Sequence, residues 1–238
     1  AGFALLFAAL TLAAGVAMRS QWNGAGLGPQ GGLREVLARP ALRGLLLLAL
    51  VNAMPAAVSS TLFLFFVQSQ LAAPGAEGPL LLLFFAAAAF GAPVWTRLAA
   101  RYGTRPALLT AMVLAVLAFS FTLTMGPGDL LLFALISGIS GFATGADLAL
   151  LPALFARQTV QQNSPEAAGF ALWSVVSKAS LALAAVILLP LLQAQGFTPG
   201  MQNPPVALSV AYGAIPCVLK LAAIALLLRL DLSEVTSD

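Results

Sequence analysis

Long apolar runs separated by short polar stretches make up most of the chain. The runs cover about residues 2–18, 41–68, 79–95, 107–125, 130–155, 167–194 and 206–229. A helix that crosses the hydrocarbon core of a bilayer needs about 20 mainly apolar residues, and each run is close to that length. The pattern therefore predicts an all-α polytopic membrane protein with seven membrane-spanning helices.

The polar stretches between the runs predict loops and one short additional helix. Residues 19–32 and 195–205 are rich in Gly, Gln or Pro, which is typical of loops. The segment LREVLARPALRG, which begins at Leu33, has the spacing of a short amphipathic helix on the membrane surface. Residues 231–238 form a short acidic tail.

Composition supports a membrane protein and excludes several other classes. The 238 residues are 61% hydrophobic and only 8% charged, too little charge for a soluble domain of this length. There is no histidine, and the single cysteine, Cys217, lies in an apolar run, so we expect no metal site, no disulfide and no cofactor. No basic stripe alternates with aromatic residues, so we expect no nucleic-acid partner. No span carries paired carboxylates or a serine-nucleophile motif, so we expect no enzyme.

The arginines predict the orientation of the chain in the membrane. The loops between the runs alternate between two kinds. One kind, near Glu77, Asp129 and residues 195–205, contains no Lys or Arg. Basic loops face the cytoplasm, so we expect a protein of the cell (inner) membrane with Ala1 outside and a cytoplasmic C-terminus. The basic residues occur in alternate loops: Arg19, Arg34, Arg39 and Arg43, then Arg97, Arg101 and Arg105, then Arg157, then Arg229.

The start of the chain has an unusual charge pattern. Ala1 begins inside an apolar run, and Arg19 follows that run instead of preceding it. A signal peptide carries its positive charge before the apolar stretch. Together with the predicted outer position of Ala1, this indicates that an N-terminal part of the protein precedes the chain.

One span, GISGFATGADLALLPALFA, contains a carboxylate. Asp147 in hydrocarbon costs about 2.5–3.5 kcal/mol on insertion scales, so such residues usually face protein or a water-filled cavity. Ser137, Gly141 and Gly145, the small-residue stripe, recur every fourth position and allow another helix to approach closely. Pro152 predicts a kink. Asp147 either borders a functional cavity or only bonds to a neighbour in a packed helix.

Two lysines lie at a similar depth within other spans. At about 1.5 Å per residue, Asp147, Lys178 and Lys220 are about 12–16 Å from the cytoplasmic ends of their helices. Asp147 and Lys178 are on consecutive helices, so we predict that they are neighbours. Ser174 and Ser177 extend the polar patch around Lys178, as expected on a cavity wall.

The other polar residues of the spans allow two interpretations each. Lys220 either contributes to a polar path or extends its ammonium group towards the membrane surface. Asn52 and Ser59 share a helix face that either lines a polar path or bonds to another helix. Trp173 either stacks on a sugar ring or packs in the core.

The loop TRLAARYGTRP is the most pattern-like stretch. Arg97 and Arg101 are one helical turn apart, and Gly103 can end the helix in a left-handed conformation. Arg105 and Pro106 then begin the next span. These arginines either determine topology alone or form a specific motif.

Four motifs resemble a known family. The stretch W-x-x-L-A-A-R-Y-G-T-R-P-A-L-L, from Trp95, resembles the major facilitator signature between helices 8 and 9. G-A-D-L-A-L-L-P-A-L-F-A, G-F-A-L-W-S-V-V-S-K and A-I-P-C-V-L-K-L are similar to helices 10, 11 and 12 of the glycoside–pentoside–hexuronide:cation symporters, the melibiose-permease group. Two departures are Arg157, where the group commonly has an acid, and the doubled Leu150–Leu151 before the proline.

The resemblance implies a fold and a domain organisation. Residues 1–18 correspond to helix 6, 19–40 to a cytoplasmic linker between bundles, 41–230 to the C-terminal six-helix bundle and 231–238 to a cytoplasmic tail. A missing N-terminal six-helix half would be the partner of this bundle.

The resemblance also implies alternating-access transport of a sugar or glycoside, coupled to Na⁺ or H⁺. The family's helix-11 lysine matches Lys178 and lies beside cation-binding carboxylates of the N-terminal half. A sugar-facing hydroxyl matches Ser174, and the loop with Arg97, Arg101 and Arg105 clamps the two bundles together. Relatives carry lysophospholipids, so a lipid substrate is an alternative. A non-transporting scaffold or receptor is the alternative from another class.

Overall fold

A computed structural model describes residues 32–198 and 206–230, together with Val16. The predicted span 2–18, most of the linker 19–40, part of the link 195–205 and the tail 231–238 therefore lie outside the described residues.

The described chain is helical and contains no strand. A π-helical turn, Phe66–Gln70, extends the second helix, and a 3₁₀ turn, Phe121–Thr124, extends the fourth. The helices are α1 Leu33–Ala38, α2 Pro40–Phe65, α3 Glu77–Tyr102, α4 Thr104–Ser120, α5 Leu130–Gln161, α6 Glu166–Ala194 and α7 Val206–Arg229.

Six of these helices, α2 to α7, are long and apolar enough to cross a membrane. The prediction of an all-α polytopic membrane protein is confirmed. Two helices extend beyond their predicted apolar spans: α3 continues past residue 95 to Tyr102, where Gly103 ends it as predicted, and α5 continues past residue 155 to Gln161. Helices do not stop where the apolar residues stop, because polar residues sustain the backbone hydrogen bonds outside hydrocarbon.

The short helix α1 precedes the first described span. Only Val36 of its six residues is buried, as predicted for an amphipathic surface helix. Arg39 has an extended backbone, and Pro40 begins α2 at a position that needs no backbone donor. The extended residue Arg39 therefore separates the surface helix α1 from the membrane-spanning helix α2.

The six long helices pack in an order that differs from their order in the chain. Helix α2 packs on α6 and α7, α4 packs on α7 and α5, and α3 packs most extensively on α5. The order around the bundle is therefore α6, α2, α7, α4, α5, α3. Consecutive helices α5 and α6 make few contacts, and α2 reaches α5 only weakly.

The small-residue stripe brings α3 and α5 together, as predicted. A Cβ atom added at Gly145 would lie 2.6 Å from the carbonyl oxygen of Ala88, and one added at Gly91 would lie 2.5 Å from that of Phe142. Trp95 Nε1 donates a hydrogen bond of 2.8 Å to the same Phe142 oxygen. The two backbones thus touch at positions where only glycine leaves space.

Two apolar cores occupy opposite ends of the bundle. One core contains the first turns of α2, the last turns of α5 and α7, and the α3–α4 junction. The described arginines flank those segments, so this end is the Arg-rich end. The other core joins the π turn, the start of α5 and the start of α7, and no Lys or Arg flanks its described residues. The predicted gathering of the arginines at one end is thus present, while the side of the membrane stays a prediction.

Prolines lie inside five of the long helices without interrupting them. Helix α5 continues through Pro152, and α2 and α7 continue through Pro55 and Pro216. Each proline lacks a backbone N–H, so the carbonyl four residues earlier loses its helical donor. The kink predicted at Pro152 stays a prediction.

Candidate functional site

A buried ion pair joins three helices near the middle of the bundle. Lys220 of α7 is only 7% exposed, and its Nζ lies 2.5 Å from Oδ2 of Asp147 on α5. The same Nζ donates a hydrogen bond of 2.7 Å to Oδ1 of Asn52 on α2. We call these three residues the polar triad.

The triad corrects two sequence-based predictions. Asp147 pairs with Lys220 instead of Lys178, because α5 packs on α3 and α4 whereas α6 packs on α2. The interpretation that Lys220 extends to the membrane surface is also wrong, since its side chain is buried and paired. Adjacency in the chain did not predict adjacency in the bundle.

The Asp147 carboxylate is only half satisfied. Its Oδ2 accepts the hydrogen bond from Lys220, while its Oδ1 is buried and has no hydrogen-bond partner among the described residues. A buried acceptor without a donor costs free energy, so such an atom calls for an explanation.

A cavity of about 280 Å³ adjoins the triad. It lies between α2, α3, α4, α5 and α7, and all three triad residues border it. Asp147 therefore both borders a cavity and bonds to a neighbouring helix. Besides the triad, the cavity is lined by the hydroxyl groups of Ser59, Ser60, Ser137, Ser140 and Thr144 and by the rings of Phe63, Phe84, Phe85, Phe119, Phe133 and Tyr212.

The cavity extends from the triad away from the Arg-rich end. On α2 the lining residues run from Asn52 to Phe63, and on α7 they run from Lys220 back to Tyr212. Because α2 begins and α7 ends at the Arg-rich end, the triad marks the boundary of the cavity nearest that end.

Packed side chains lie beyond both ends of the cavity. At the Arg-free end, Phe66 stacks on Tyr212 at 4.1 Å between ring centroids, and Phe133 and Phe119 lie close to these rings. Past the triad, the apolar core of the Arg-rich end begins about one turn further along each helix, with Leu48, Leu150 and Ala223. The charges are thus separated from the Arg-rich end by packed hydrocarbon.

The hydroxyl groups of α5 bond to their own helix. Thr144 donates to the carbonyl of Ser140 at 2.8 Å, and Ser140 donates to that of Ser137 at 3.3 Å. Each hydroxyl oxygen therefore retains lone pairs that can accept a hydrogen bond from a molecule in the cavity.

The predicted polar face of α2 is present. Asn52, Pro55 and Ser59 all border the cavity, as their spacing indicated. Asn52 fits both earlier interpretations, because it lines the cavity and bonds across helices to Lys220.

Lys178 and its neighbours lie elsewhere. Lys178, Ser174 and Ser177 are exposed on α6, which does not border the cavity. Ser177 donates to the carbonyl of Trp173 at 3.0 Å, and no described residue bonds to the Lys178 ammonium. A charge at this depth is costly in hydrocarbon, so we expect this face of α6 to adjoin water or protein. The role of Lys178 and Ser174 stays a prediction.

Trp173 packs in the core at the Arg-rich end. Its ring lies 5.2 Å from that of Phe155, and it is only half-buried. The geometry favours the packing interpretation over stacking on a sugar.

The arginines around the junction of α3 and α4 differ in their contacts: Arg97 and Arg101 lie at the end of α3 and Arg105 at the start of α4. Gly103 has φ +96° and ψ 151°, so it ends α3 with a positive φ but in an extended, not a left-handed helical, conformation. Arg105 Nη2 donates to the carbonyl of Leu228 at 2.5 Å, which ties α4 to the end of α7. Arg97 and Arg101 are exposed, and Arg101 lies over the Tyr102 ring at 5.3 Å.

Sequence reasoning missed the hydroxyl groups of α5 and the aromatic rings that line the cavity. Ser137, Ser140, Thr144 and Asp147 are spaced by three, four and three residues, so they form one face of α5. That periodicity was available in the sequence. The aromatic residues come from five different helices, and no periodicity within one helix connects them.

The fold and the site together define a polytopic membrane protein with a polar site at mid-span. The chain matches the family described as MFS/sugar transport protein over residues 1–234, so it belongs to that family. No curated protein matches the chain. Family membership identifies a multi-pass transporter of small molecules and not an enzyme.

Proposed function

We propose that the protein carries a sugar or glycoside across the cell membrane by cation-coupled symport, with Na⁺ or H⁺ as the coupling ion. The observation that carries this proposal is the cavity at mid-span with a buried ion pair on its wall. Charged residues inside membrane-spanning segments usually mark substrate or ion pathways. The sugar-transport family agrees with this choice of substrate.

The size and lining of the cavity suit a small oxygen-rich ligand. A volume of about 280 Å³ is near the lower end of the range for small-molecule pockets, about 300–1,000 Å³. Lys220 supplies a donor, Asn52 and the hydroxyl groups supply donors and acceptors, and the aromatic rings offer flat apolar faces. Such a mixture of a few polar groups and many apolar ones is typical of ligand sites.

Alternating access would follow from movement of this bundle against a second one. Transporter sites usually lie near the bilayer midplane between two bundles that rock around them. The exposed face of α6 with Lys178 and Ser174 is the surface that we assign to the opposing bundle. With arginines facing the cytoplasm, the cavity extends from the triad towards the outside.

A second candidate substrate is a lysophospholipid or another amphiphile. The specific observation in its favour is the aromatic lining, six rings from five helices. The small volume argues against a long acyl chain inside the cavity, so we place this candidate second.

The test uses the full-length protein in proteoliposomes. Labelled hexoses, pentoses and methyl glycosides are offered with an imposed Na⁺ or H⁺ gradient, and unlabelled lysophospholipid is added as a competitor. We expect saturable, gradient-dependent accumulation of one sugar that the lipid does not inhibit. In a parallel assay with labelled lysophospholipid, uptake of the lipid without uptake of any sugar would instead support the second candidate, and gradient-independent sugar uptake would exclude symport.

Cys217 offers an independent report on the cavity, because it borders the cavity and is partly accessible. A saturating concentration of the transported sugar should slow the reaction of Cys217 with a small maleimide. As control, a cysteine replacing exposed Ser120, which does not border the cavity, should react at an unchanged rate. Equal labelling of Cys217 with and without sugar would place the substrate elsewhere.

A further inference from the structure

The geometry points to the polar triad as the site where a proton couples to transport, with Asp147 as the proton acceptor. This inference rests on the proposed function and names its coupling ion. We infer that a proton entering from the cavity binds Asp147 Oδ1 and releases the Lys220 ammonium from its ion pair. The released ammonium then donates hydrogen bonds to oxygen atoms of the substrate.

The first argument is the state of the two carboxylate oxygens. Oδ2 is held by Lys220, while Oδ1 is buried and lacks a donor within the described part of the chain, although Asp147 as a residue lines the cavity. Oδ1 is therefore the carboxylate oxygen that can bind an added proton without first losing a hydrogen bond to a protein donor. Protonation adds one O–H bond, and no other covalent bond changes.

The second argument is the identity of the surrounding groups. Besides Asp147 and Lys220, the titratable residues on the cavity wall are Tyr212 and Cys217, both on α7. The lining residues from α2, α3 and α4 include no titratable group. Asp147 is thus the single carboxyl group on the described wall, and Lys220 is the single cation.

The third argument favours a proton over a metal cation. A hard metal ion needs several oxygen ligands at once, usually with carboxylates among them, and no group of three His, Cys, Asp or Glu side chains that could hold a metal ion occurs among the described residues. A metal ion at Asp147 would also lie beside the Lys220 ammonium, which is 2.5 Å from Oδ2. A proton needs only one acceptor atom and no coordination sphere.

Charge balance explains how the proton would couple to the substrate. The pair is neutral when Asp147 is ionised and carries one positive charge when Asp147 is protonated. Lys220 has three N–H donors, of which Asn52 would keep one. Protonation leaves Oδ2 a neutral carbonyl oxygen, which accepts more weakly, and the third N–H has no acceptor among the described residues, so the buried ammonium loses favourable interactions. Substrate oxygens relieve that cost, so proton and substrate stabilise each other's binding, as reciprocal coupling requires.

The location of the triad restricts the path of the proton. The cavity connects the triad towards the Arg-free end, whereas packed apolar side chains fill the bundle between the triad and the Arg-rich end. In the described conformation, Asp147 therefore borders the cavity and is separated from the Arg-rich end, so a proton reaches it through the cavity. Movement of the bundles would be needed for exchange with the other side.

The experiment measures proton and sugar movement together, in lightly buffered proteoliposomes that contain a pH-sensitive dye. Addition of the transported sugar should acidify the lumen with wild-type protein. In Asp147→Asn, which cannot take up a proton, we expect loss of both the acidification and the gradient-driven accumulation. Exchange of labelled for unlabelled sugar, which needs no net proton movement, should persist. Asp129→Asn, the same change at the start of α5 and away from the cavity, should behave as wild type.

A second variant addresses folding. Asp147→Asn leaves Lys220 without its counter-charge, so the double variant Asp147→Asn/Lys220→Gln restores neutrality, and it should also lose acidification. Infrared difference spectra between acidic and alkaline pH should show a protonated-carboxyl band that is absent in both variants, without any sugar present.

The outcomes separate the inference from the proposed function. Sugar accumulation without lumen acidification in the wild type would overturn the inference and leave symport intact. Acidification that persists in Asp147→Asn would overturn it as well. Absence of any sugar movement by wild-type protein would instead contradict the proposed function, and the infrared band would still decide whether Asp147 takes up a proton.

Discussion

At the scale of single residues, two charged side chains that are costly to bury in a membrane lie together as one ion pair, Lys220 and Asp147. Lys220 and Asp147 are nearly buried, and each compensates the charge of the other. Removal of one partner leaves a bare charge, whereas removal of both leaves none. The behaviour of single and double variants therefore differs sharply.

Lys220→Met should destabilise the protein by about 3–5 kcal/mol, the range for breaking a buried pair. The double variant Lys220→Met/Asp147→Leu should recover most of that loss, because no uncompensated charge remains. Thermal unfolding in detergent measures both. Equal destabilisation by the two variants would show that the pair contributes through packing and not through charge.

Lys178 is the other residue-scale prediction. Lys178→Ala should abolish gradient-driven sugar uptake while leaving insertion and folding intact, since no described residue bonds to the ammonium. Lys178→Arg should also fail, because a forked guanidinium does not replace a compact ammonium. Wild-type uptake by both variants in proteoliposomes would show that Lys178 has no part in coupling.

At the scale of elements, the contact between α3 and α5 depends on glycine. The positions that touch are backbone atoms on both sides, which cannot move aside as a flexible side chain can. These two helices also form part of the cavity wall through Phe84 and Asp147. A change in the distance between α3 and α5 would therefore change the shape of the cavity.

Gly145→Ala should destabilise the protein by about 1–3 kcal/mol, the usual range for overpacking. Its added Cβ would lie 2.6 Å from the Ala88 carbonyl oxygen and 2.8 Å from the Ala92 nitrogen. Gly138→Ala, on the same helix, is the matched control, because its Cβ meets nothing within 4 Å. Unfolding temperatures compare the two, and a similar loss in both would mean that helix separation is not the cause.

At the scale of the whole molecule, the two ends of the bundle differ in charge. The described arginines flank one apolar core, and Arg105 joins α4 to the last turn of α7 at that end. This asymmetry predicts a single orientation in the membrane.

Single cysteines placed at Glu77 and Arg101 should be labelled from opposite sides of the membrane. The background is Cys217→Ala, which removes the single cysteine of the chain. A membrane-impermeant maleimide applied to intact cells should reach position 77 and not position 101. Labelling of both from one side would contradict the topology.

Arg101→Ala should favour opening at the Arg-rich end. Arg101 is exposed and lies over the Tyr102 ring, so its guanidinium remains available to a group outside the described bundle. We expect faster labelling of cysteines near the triad from the cytoplasmic side and a changed transport rate. Arg105→Ala, which removes a bond within the bundle, should lower stability instead. If Arg101→Ala changed neither the labelling of cysteines near the triad nor the transport rate, Arg101 would serve only to orient the chain in the membrane.

The sequence by itself determined the class of fold, the number of described spans, the arginine asymmetry and the close contact along the small-residue stripe. Each follows from local physics: hydrocarbon tolerates only long apolar helices, and spacing within one helix determines which residues share a face. The polar face of α2 and the presence of a charge on α5 belong to the same category.

Only the tertiary structure decided which charges meet. Asp147 pairs with a lysine two helices later because α5 and α6, although consecutive, pack on different neighbours. Partner choice depends on the order of helices around the bundle, and that order depends on how complete helix surfaces fit together. The same reason explains why a cavity lined from five helices could not be located from the sequence of any one of them.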